Sequence, residues 1–474
     1  MATLKLVLDL FGATILVPVV VFILSLFLKV ETNKAFRGAL YMGIGLAAFN
    51  IILGGLMGSL APVVMEMVQN TGINLPTIDL GWPAAAMIVY ANQIGLFYLL
   101  FGVAFDLFLF FIKWTDTFQP TDIWNYYQFV FWAAIVQFVT GSFALSILAA
   151  MLMNLILLLL ADWLAPSLQE YYGYEGITST CYCPVNAAPF AVLVKWVLMK
   201  LKLNRIQLNP ETIRKKFGFW GEPVSMGLVI GFLITFIAKL NQLNLVESWA
   251  TILKTAIVVG AIMAIYPSVS GLFVKGLIPI SQTLNTRLRA GEIKRDNFYI
   301  AIDPAVFFGE EVTLTSGLLL IPIVLVIAIF LPGNNILPLA DLPAMPFMVI
   351  GIVAVMRGNI FNTIITGALW YTIGLLCNSD IAAVFTQAAE VAGVAIPAGG
   401  AMVSAFSVGA SPILWLVYKA FAAPEGIRIF TIALAFAVYL AVYIMFRKNR
   451  KAWQMAAGAS AEFLQEREVV TTAK

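Results

Sequence analysis

Residues 302 to 311 read IDPAVFFGEE, and residues 312 to 333, VTLTSGLLLIPIVLVIAIFLPG, continue without a charge. Asp303, Glu310 and Glu311 thus stand at the head of a segment long enough to cross a bilayer, since an α-helix needs roughly 20 apolar residues to span the hydrocarbon core. The rest of the chain has the same character: 61% of its 474 residues are hydrophobic and only 11% charged, with a mean hydropathy of +0.93. Soluble domains carry about 25% charged residues. Residues 10–28 (LFGATILVPVVVFILSLFL), 142–161 (SFALSILAAMLMNLILLLLA) and 429–446 (IFTIALAFAVYLAVYIMF) are further span-length runs. None alternates with period two, so the expected fold is an all-α polytopic membrane protein and not a β-barrel.

Lys and Arg collect at Lys29, Lys34 and Arg37, from Lys195 to Lys216, from Arg287 to Arg295, and in RKNRK at 447–451. Basic loops are retained on the cytoplasmic side. Placing all four groups there puts the N-terminus outside and the C-terminus inside a cell membrane, and requires an odd number of crossings; about eleven are expected. The net charge of +3 follows from this topology and gives no sign of nucleic-acid binding. One transmembrane domain over residues 1–450 and a short cytoplasmic tail over 451–474 are expected. The first helix follows MATLKLVLD with no small-residue cleavage pattern, and so reads as retained.

Several segments are broken. TIDLGWPAAAMIVYANQ (77–93), GFWGEPVSMG (218–227), IDPAVFFGEE and FSVGASPILW (406–415) set Gly and Pro beside polar groups in apolar surroundings. Non-helical backbone at membrane depth survives only inside protein or along a wet cavity. These are candidates for re-entrant hairpins of the kind that build transporter substrate sites in two related halves, with GEPVSMG and GASPILW as a candidate pair.

The chain contains no histidine. That excludes Ser-His-Asp hydrolysis, HExxH zinc sites, His-ligated haem and a phosphohistidine carrier. There is no GxxxxGK[ST] loop for ATP. CYC at 181–183, with Cys377 elsewhere, fits neither disulfide nor zinc spacing. No metal, cofactor or catalytic residue is expected.

The candidate ligands are polar groups in apolar surroundings. Glu222 lies between Gly221 and Pro223 where an apolar helix begins, and Asp303 precedes Pro304 in the pattern of a helix N-cap. A capping carboxylate still has acceptor sites for a sugar hydroxyl. On one continuous helix Glu310 would share a face with Asp303, seven residues away; Gly309 makes a break there equally compatible. Glu310 and Glu311 repel, which calls for protonation, pairing with Arg357 or an aqueous outlook. A helix starting after Asp122 carries Asn125, Gln128, Trp132 and Gln137, while MRGNIFN at 356–362 adds Asn359 and Asn362. Amides, carboxylates and aromatic faces suit a carbohydrate or polyol; the same groups also tie helices together.

LGWP (80–83), DIWN (122–125), TGS (140–142), RKKFGFWGEPVSMGLVIG (214–231), IDPAVFFG (302–309), LPGNNILPLADL (331–342), RGNIFNTIITG (357–367) and GASPILW (409–415), in this order, resemble the galactitol-type EIIC permeases of the bacterial phosphotransferase system, in a superfamily with the ascorbate permeases. The resemblance implies a homodimer of eleven-helix protomers, each with a scaffold domain and a substrate-carrying core moving in an elevator-like manner. It also implies uptake of a polyol or sugar coupled to phosphorylation by a phosphocysteine on a separate EIIB subunit, which EIIA recharges. Glu222 and Asp303 are carried over as hydroxyl acceptors, with Trp82, Asn125, Gln137, Asn359 and Glu310 as further substrate-binding candidates. The chain departs from the galactitol pattern, which has a Gly-His pair at 309–310 and histidines after DIWN; Glu310, Tyr127 and Gln137 stand here, leaving another alditol, pentitol or related sugar open. The competing class is an ion-coupled secondary transporter with Glu222 or Asp303 as proton site.

Overall fold

A computed structural model describes residues 15–472 apart from positions 16–17, 20, 24, 27–28, 72–74, 120–122, 290–296, 395 and 397–401. Helices dominate, and six among the described residues are long and apolar enough to cross a membrane: Phe143–Tyr172, Tyr182–Lys200, Val246–Ile265, Glu311–Phe330, Ile360–Val391 and Glu425–Lys448. Shorter apolar helices, Trp82–Ala91, Phe101–Phe111, Val224–Ala238, Leu342–Val355 and Pro412–Phe421, accompany them. This is a membrane-embedded, multi-pass architecture.

The expectation of an all-α chain needs one correction. Six very short strands form two three-stranded parallel sheets. In the first, β1 (Thr77–Asp79) lies between β5 (Ile336–Leu337) and β6 (Met402–Ser404). In the second, β4 (Tyr299–Ala301) lies between β2 (Thr117–Phe118) and β3 (Ile177–Thr178). Strands of two or three residues show no readable alternation, so hydrophobic periodicity could not reveal them.

The strand order has a consequence for the whole chain. Each half supplies the central strand of one sheet and both flanks of the other, so β1, β2 and β3 correspond to β4, β5 and β6. The correspondence extends to side chains. After β2, helix Ile123–Thr140 turns at Gly141 (φ 67°) into helix 143–172, where Ser142 accepts the Leu145 N–H. After β5, helix Ile350–Val355 turns at Gly358 (φ 71°) into helix 360–391, where Asn359 accepts the Asn362 N–H. Asp162 on helix 143–172 accepts the N–H of Asp116 just ahead of β2, at 3.1 and 3.3 Å. Ser379 on helix 360–391 does the same for Asn335 just ahead of β5, at 2.9 Å. This correspondence also revises the expected pairing of GEPVSMG with GASPILW. The counterpart of helix 412–421, which follows β6, is helix Ala188–Lys200, which follows β3; both carry Pro in their first turn.

Burial separates interior from perimeter. Every residue from Tyr126 to Val136 on helix 123–140 is buried, as suits a helix enclosed by protein on all sides. Helix 425–448 instead turns Ile429, Phe430, Leu434 and Val438 outward, an apolar surface matched to lipid. The long helices Thr32–Thr71 and Val246–Arg289 cross at small residues. A Cβ on Gly38 would stand 2.7 Å from the Gly276 carbonyl oxygen, so only glycine lets the backbones approach this closely.

Candidate functional site

The two sheets end in turns that carry the buried acids. At the end of β1, Asp79 accepts N–H groups from Gly81 (3.0 Å) and Phe406 (3.0 Å) on one oxygen and from Asp341 (2.9 Å) on the other. Asp341 accepts from Trp82 (3.0 Å) and Ser407 (2.8 Å). Two carboxylates therefore bind together the three segments after β1, β5 and β6, and their acceptor capacity goes to backbone donors. Gly81 takes φ 76°, a left-handed conformation that costs glycine little. These two aspartates are structural keystones that the sequence reading missed; Asx-type turns after an apolar strand were the signal that could have found them.

At the end of β4, Asp303 Oδ1 accepts the Ala305 N–H at 2.8 Å. It heads a four-residue helix, Ala305–Phe308, which stops at Gly309; a new helix begins at Glu311. The break at Gly309, not a continuous helix, separates Asp303 from Glu310. Asp303 remains half-buried, and one carboxylate oxygen has no partner among the described residues. It lies close enough to act electrostatically on the Cys181 thiol. Cys181 Sγ in turn lies 3.3 Å from Gln128 Oε1, and Gln128 Nε2 lies 3.2 Å from the Tyr127 hydroxyl. The Tyr127 ring sits 6.3 Å from that of Trp82. Trp82, Tyr127, Gln128 and the Cys181 and Cys183 thiols thus form one chain of contacts, Tyr127 and Gln128 buried, Trp82 and Asp303 half-buried. An acceptor, an amide and two aromatic faces can hold a polyhydroxylated molecule by hydrogen bonds and stacking.

The other expected residues are distributed differently. Glu310 caps helix 311–330: Oε1 accepts Val312 N–H (3.1 Å) and the Tyr171 hydroxyl (2.9 Å), and Oε2 accepts Thr313 N–H (2.9 Å) and Thr313 Oγ1 (2.8 Å). Four partners occupy this carboxylate. Of the three alternatives left open for this acid pair, pairing of Glu310 with Arg357 is not the one formed; Arg357 binds Glu170, at 2.8 Å. Asn359 is buried and engaged on both sides, accepting from Asn362 N–H and donating to the Ile206 carbonyl at 2.8 Å. Gln137 sits at the Gly141 end of helix 123–140, whereas the Tyr171–Glu310 contact lies at the far end of helix 143–172. A rise of 1.5 Å per residue puts these ends about 40 Å apart, so Gln137 and Glu310 cannot touch one ligand. Glu222 is exposed at the head of helix Pro223–Ala238 and caps nothing. Asn125 lies on helix 123–140, but its side chain is outside the described residues, as is Asp122.

A family model described as EIIC-GAT, PTS system sugar-specific permease component, matches residues 7–399. A PTS system galactitol-specific EIIC component of Escherichia coli (strain K12) is 32% identical over 446 residues, covering 94% of this chain and 96% of its own length. The component of the same description from Escherichia coli O157:H7 matches equally. A putative permease IIC component of Escherichia coli (strain K12) is 30% identical over 399 residues, covering 84% of this chain and 89% of its own.

Proposed function

Since the chain belongs to the EIIC-GAT family of sugar-specific permease components of the phosphotransferase system, we propose that it carries a galactitol-like polyol inward and presents it for phosphorylation by a separate EIIB subunit. The protein is a membrane permease component of that system; the substrate, the partner and the site residues are the inference. The observation that carries the substrate is near full-length similarity to a galactitol-specific component. The chain of polar and aromatic side chains supports it, because Asp303 keeps an oxygen for a hydroxyl while Gln128, Tyr127 and Trp82 stand in mutual contact.

In this reading the polyol enters from outside and binds Asp303 and Trp82, with Asn125 kept as a ligand from the sequence motif alone. Glu310 acts by capping helix 311–330 and holding Tyr171, and Asn359 by anchoring the basic loop. Glu222 and Gln137 would reach substrate only in another state of the carrier. The basic loop over 195–216 and the RKNRK segment face the cytoplasm, where EIIB delivers its phosphocysteine and EIIA recharges it. The remaining architecture follows the family: a homodimer of eleven-helix protomers, each a scaffold and a mobile core, with the N-terminus outside.

The test is labelled galactitol supplied to membrane vesicles, with and without phosphorylated EIIB. Intravesicular galactitol phosphate that requires EIIB supports the reading. Free galactitol accumulated under a proton or sodium gradient would favour an ion-coupled transporter instead.

A further inference from the structure

Arg357 stands where helix 350–355 reverses into helix 360–391. It and Gly358 both adopt left-handed backbone, at φ 52° and 71°, and the Gly358 N–H closes the turn on the Val353 carbonyl at 3.1 Å. The turn is pressed against the C-terminal end of helix 143–172. A Cβ on Gly358 would lie 2.6 Å from the Tyr171 hydroxyl oxygen, and that hydroxyl donates to Glu310. Arg357 is therefore the chain neighbour of the glycine that meets the Tyr171–Glu310 contact.

Its surroundings are those of an anion site. Arg357 has one carboxylate partner, Glu170, and its side chain is 41% exposed against 15% for Glu170. Glu170 is itself held from the other side, accepting the Ser460 N–H at 2.7 Å. Arg357 can thus leave without uncovering a carboxylate that lacks other bonds. Lys195 is near enough for the two cations to repel. The basic loop bearing Lys200, Lys202 and Arg205 ends here too: its Leu208 carbonyl accepts the Ile360 N–H at 2.7 Å, at the positive end of helix 360–391. Two acids, Glu170 and Glu310, stand against these positive groups, and Glu310 is already engaged by the Tyr171 hydroxyl and the first N–H groups of helix 311–330, so the cluster keeps an excess of positive charge.

Phosphoryl transfer spreads negative charge over three equatorial oxygens, and catalysis comes from positioning and charge stabilisation. A guanidinium fork binds two such oxygens at once. Resting on the phosphotransferase reading above, we propose that Arg357 is a phosphate-binding residue of the transfer step, exchanging Glu170 for the phosphoryl group as it passes from EIIB to the bound polyol. In that step the P–S bond of the phosphocysteine breaks and an O–P bond forms to a substrate hydroxyl. The hydroxyl proton passes to the departing sulfur, leaving a thiol, and the phosphoryl charge stays against Arg357.

The experiment uses full-length protein in vesicles with labelled galactitol, and measures two rates: EIIB-dependent formation of galactitol phosphate, and EIIB-independent exchange of free galactitol. Arg357→Gln is expected to keep exchange within about 2-fold of the parent and to lower phosphorylation about 100-fold, the range seen when one charge-stabilising donor is removed. Arg357→Lys should recover part of the loss. Glu170→Gln separates a chemical role from a structural tie, because it breaks the same ion pair yet leaves the guanidinium, and it should lower phosphorylation by no more than about 3-fold. Phosphorylation by Arg357→Gln near the parental rate overturns the proposal, as does an equal loss in Glu170→Gln or a parallel loss of exchange in Arg357→Gln. Failure of the parent protein to form galactitol phosphate overturns the phosphotransferase reading itself, and this inference with it.

Discussion

Asp79 and Asp303 are both carboxylates at the end of a central strand, and what surrounds them differs: Asp79 is spent on structure, whereas Asp303 keeps the oxygen on which its proposed role rests. Asp79 accepts three backbone N–H groups from three chain segments. In Asp79→Asn one oxygen becomes an amide donor facing an N–H, and a buried donor left without an acceptor costs about 1 to 3 kcal/mol. A clear drop in the detergent-solubilised melting temperature is expected, with loss of uptake following loss of folded protein. Asp303→Asn should behave oppositely. The amide oxygen can still accept the Ala305 N–H, so the melting temperature stays near the parent value, while a hydrogen bond to an ionised group is lost from the ligand and affinity falls about 10-fold or more. Equilibrium binding of labelled galactitol beside a thermal melt checks both; unchanged affinity in a well-folded Asp303→Asn protein would remove Asp303 from the site. The Asp-Pro pair made Asp303 visible from sequence, because an acid before proline in an apolar run is conspicuous. Asp341, inside LPLADL, looked like an ordinary loop residue, since its donors lie near positions 82 and 407 and only folding brings them in.

Among elements, the broken helices position the site, and close backbone packing positions the broken helices. Helix 350–355 crosses the turn Tyr182–Val185 so closely that a Cβ on Gly351 would fall 1.6 Å from the Pro184 carbonyl oxygen. Gly351→Ala therefore forces one element away from the other, and overpacking of this kind costs about 1 to 3 kcal/mol or more. The expected result is a lower melting temperature and reduced phosphorylation, because the displaced turn carries Cys181 and Cys183 beneath Gln128. A Gly351→Ala protein with parental stability would show that the turn yields freely. The breaks themselves were legible: Gly309 and the Gly-Pro elements mark them through backbone preference alone. The sheets were not legible, since two- and three-residue strands are defined by partners more than 100 positions away and not by their own composition.

At the scale of the molecule, residues after 449 are more than a loose tail. Arg450 pairs with Asp116, Gln454 donates to the Asp162 carbonyl at 3.3 Å, and Ser460 donates to Glu170. Helices Arg450–Ala456 and Ala461–Thr472 are thereby laced along helix 143–172. Gly458, at φ 115°, approaches helix 350–355 so nearly that a Cβ would lie 2.9 Å from the Ala354 carbonyl oxygen. A chain ending at residue 449 should insert in the membrane yet melt several degrees lower, as a thermal melt in detergent would register. Arg450→Ala alone should reproduce part of the loss, because it leaves the buried Asp116 without its cation.

The membrane class, the helical character and the family resemblance were determined by the sequence itself, since they rest on composition, run length and ordered motifs, which are properties of the unfolded string. The acids at the broken segments were visible for the same reason: a charge in an apolar run costs too much to be incidental. Which of those acids stay open to a ligand was decided only by tertiary structure. In IDPAVFFGEE, Asp303 spends one oxygen on the Ala305 N–H, whereas Glu310 spends both on Tyr171, Val312 and Thr313. The two-part correspondence of the chain was likewise decided in three dimensions, because each sheet is assembled from both halves and its hydrogen bonds join residues with no local signal of their pairing. A carboxylate's availability depends on which donors reach it, and donors from distant segments reach it only once the chain has folded.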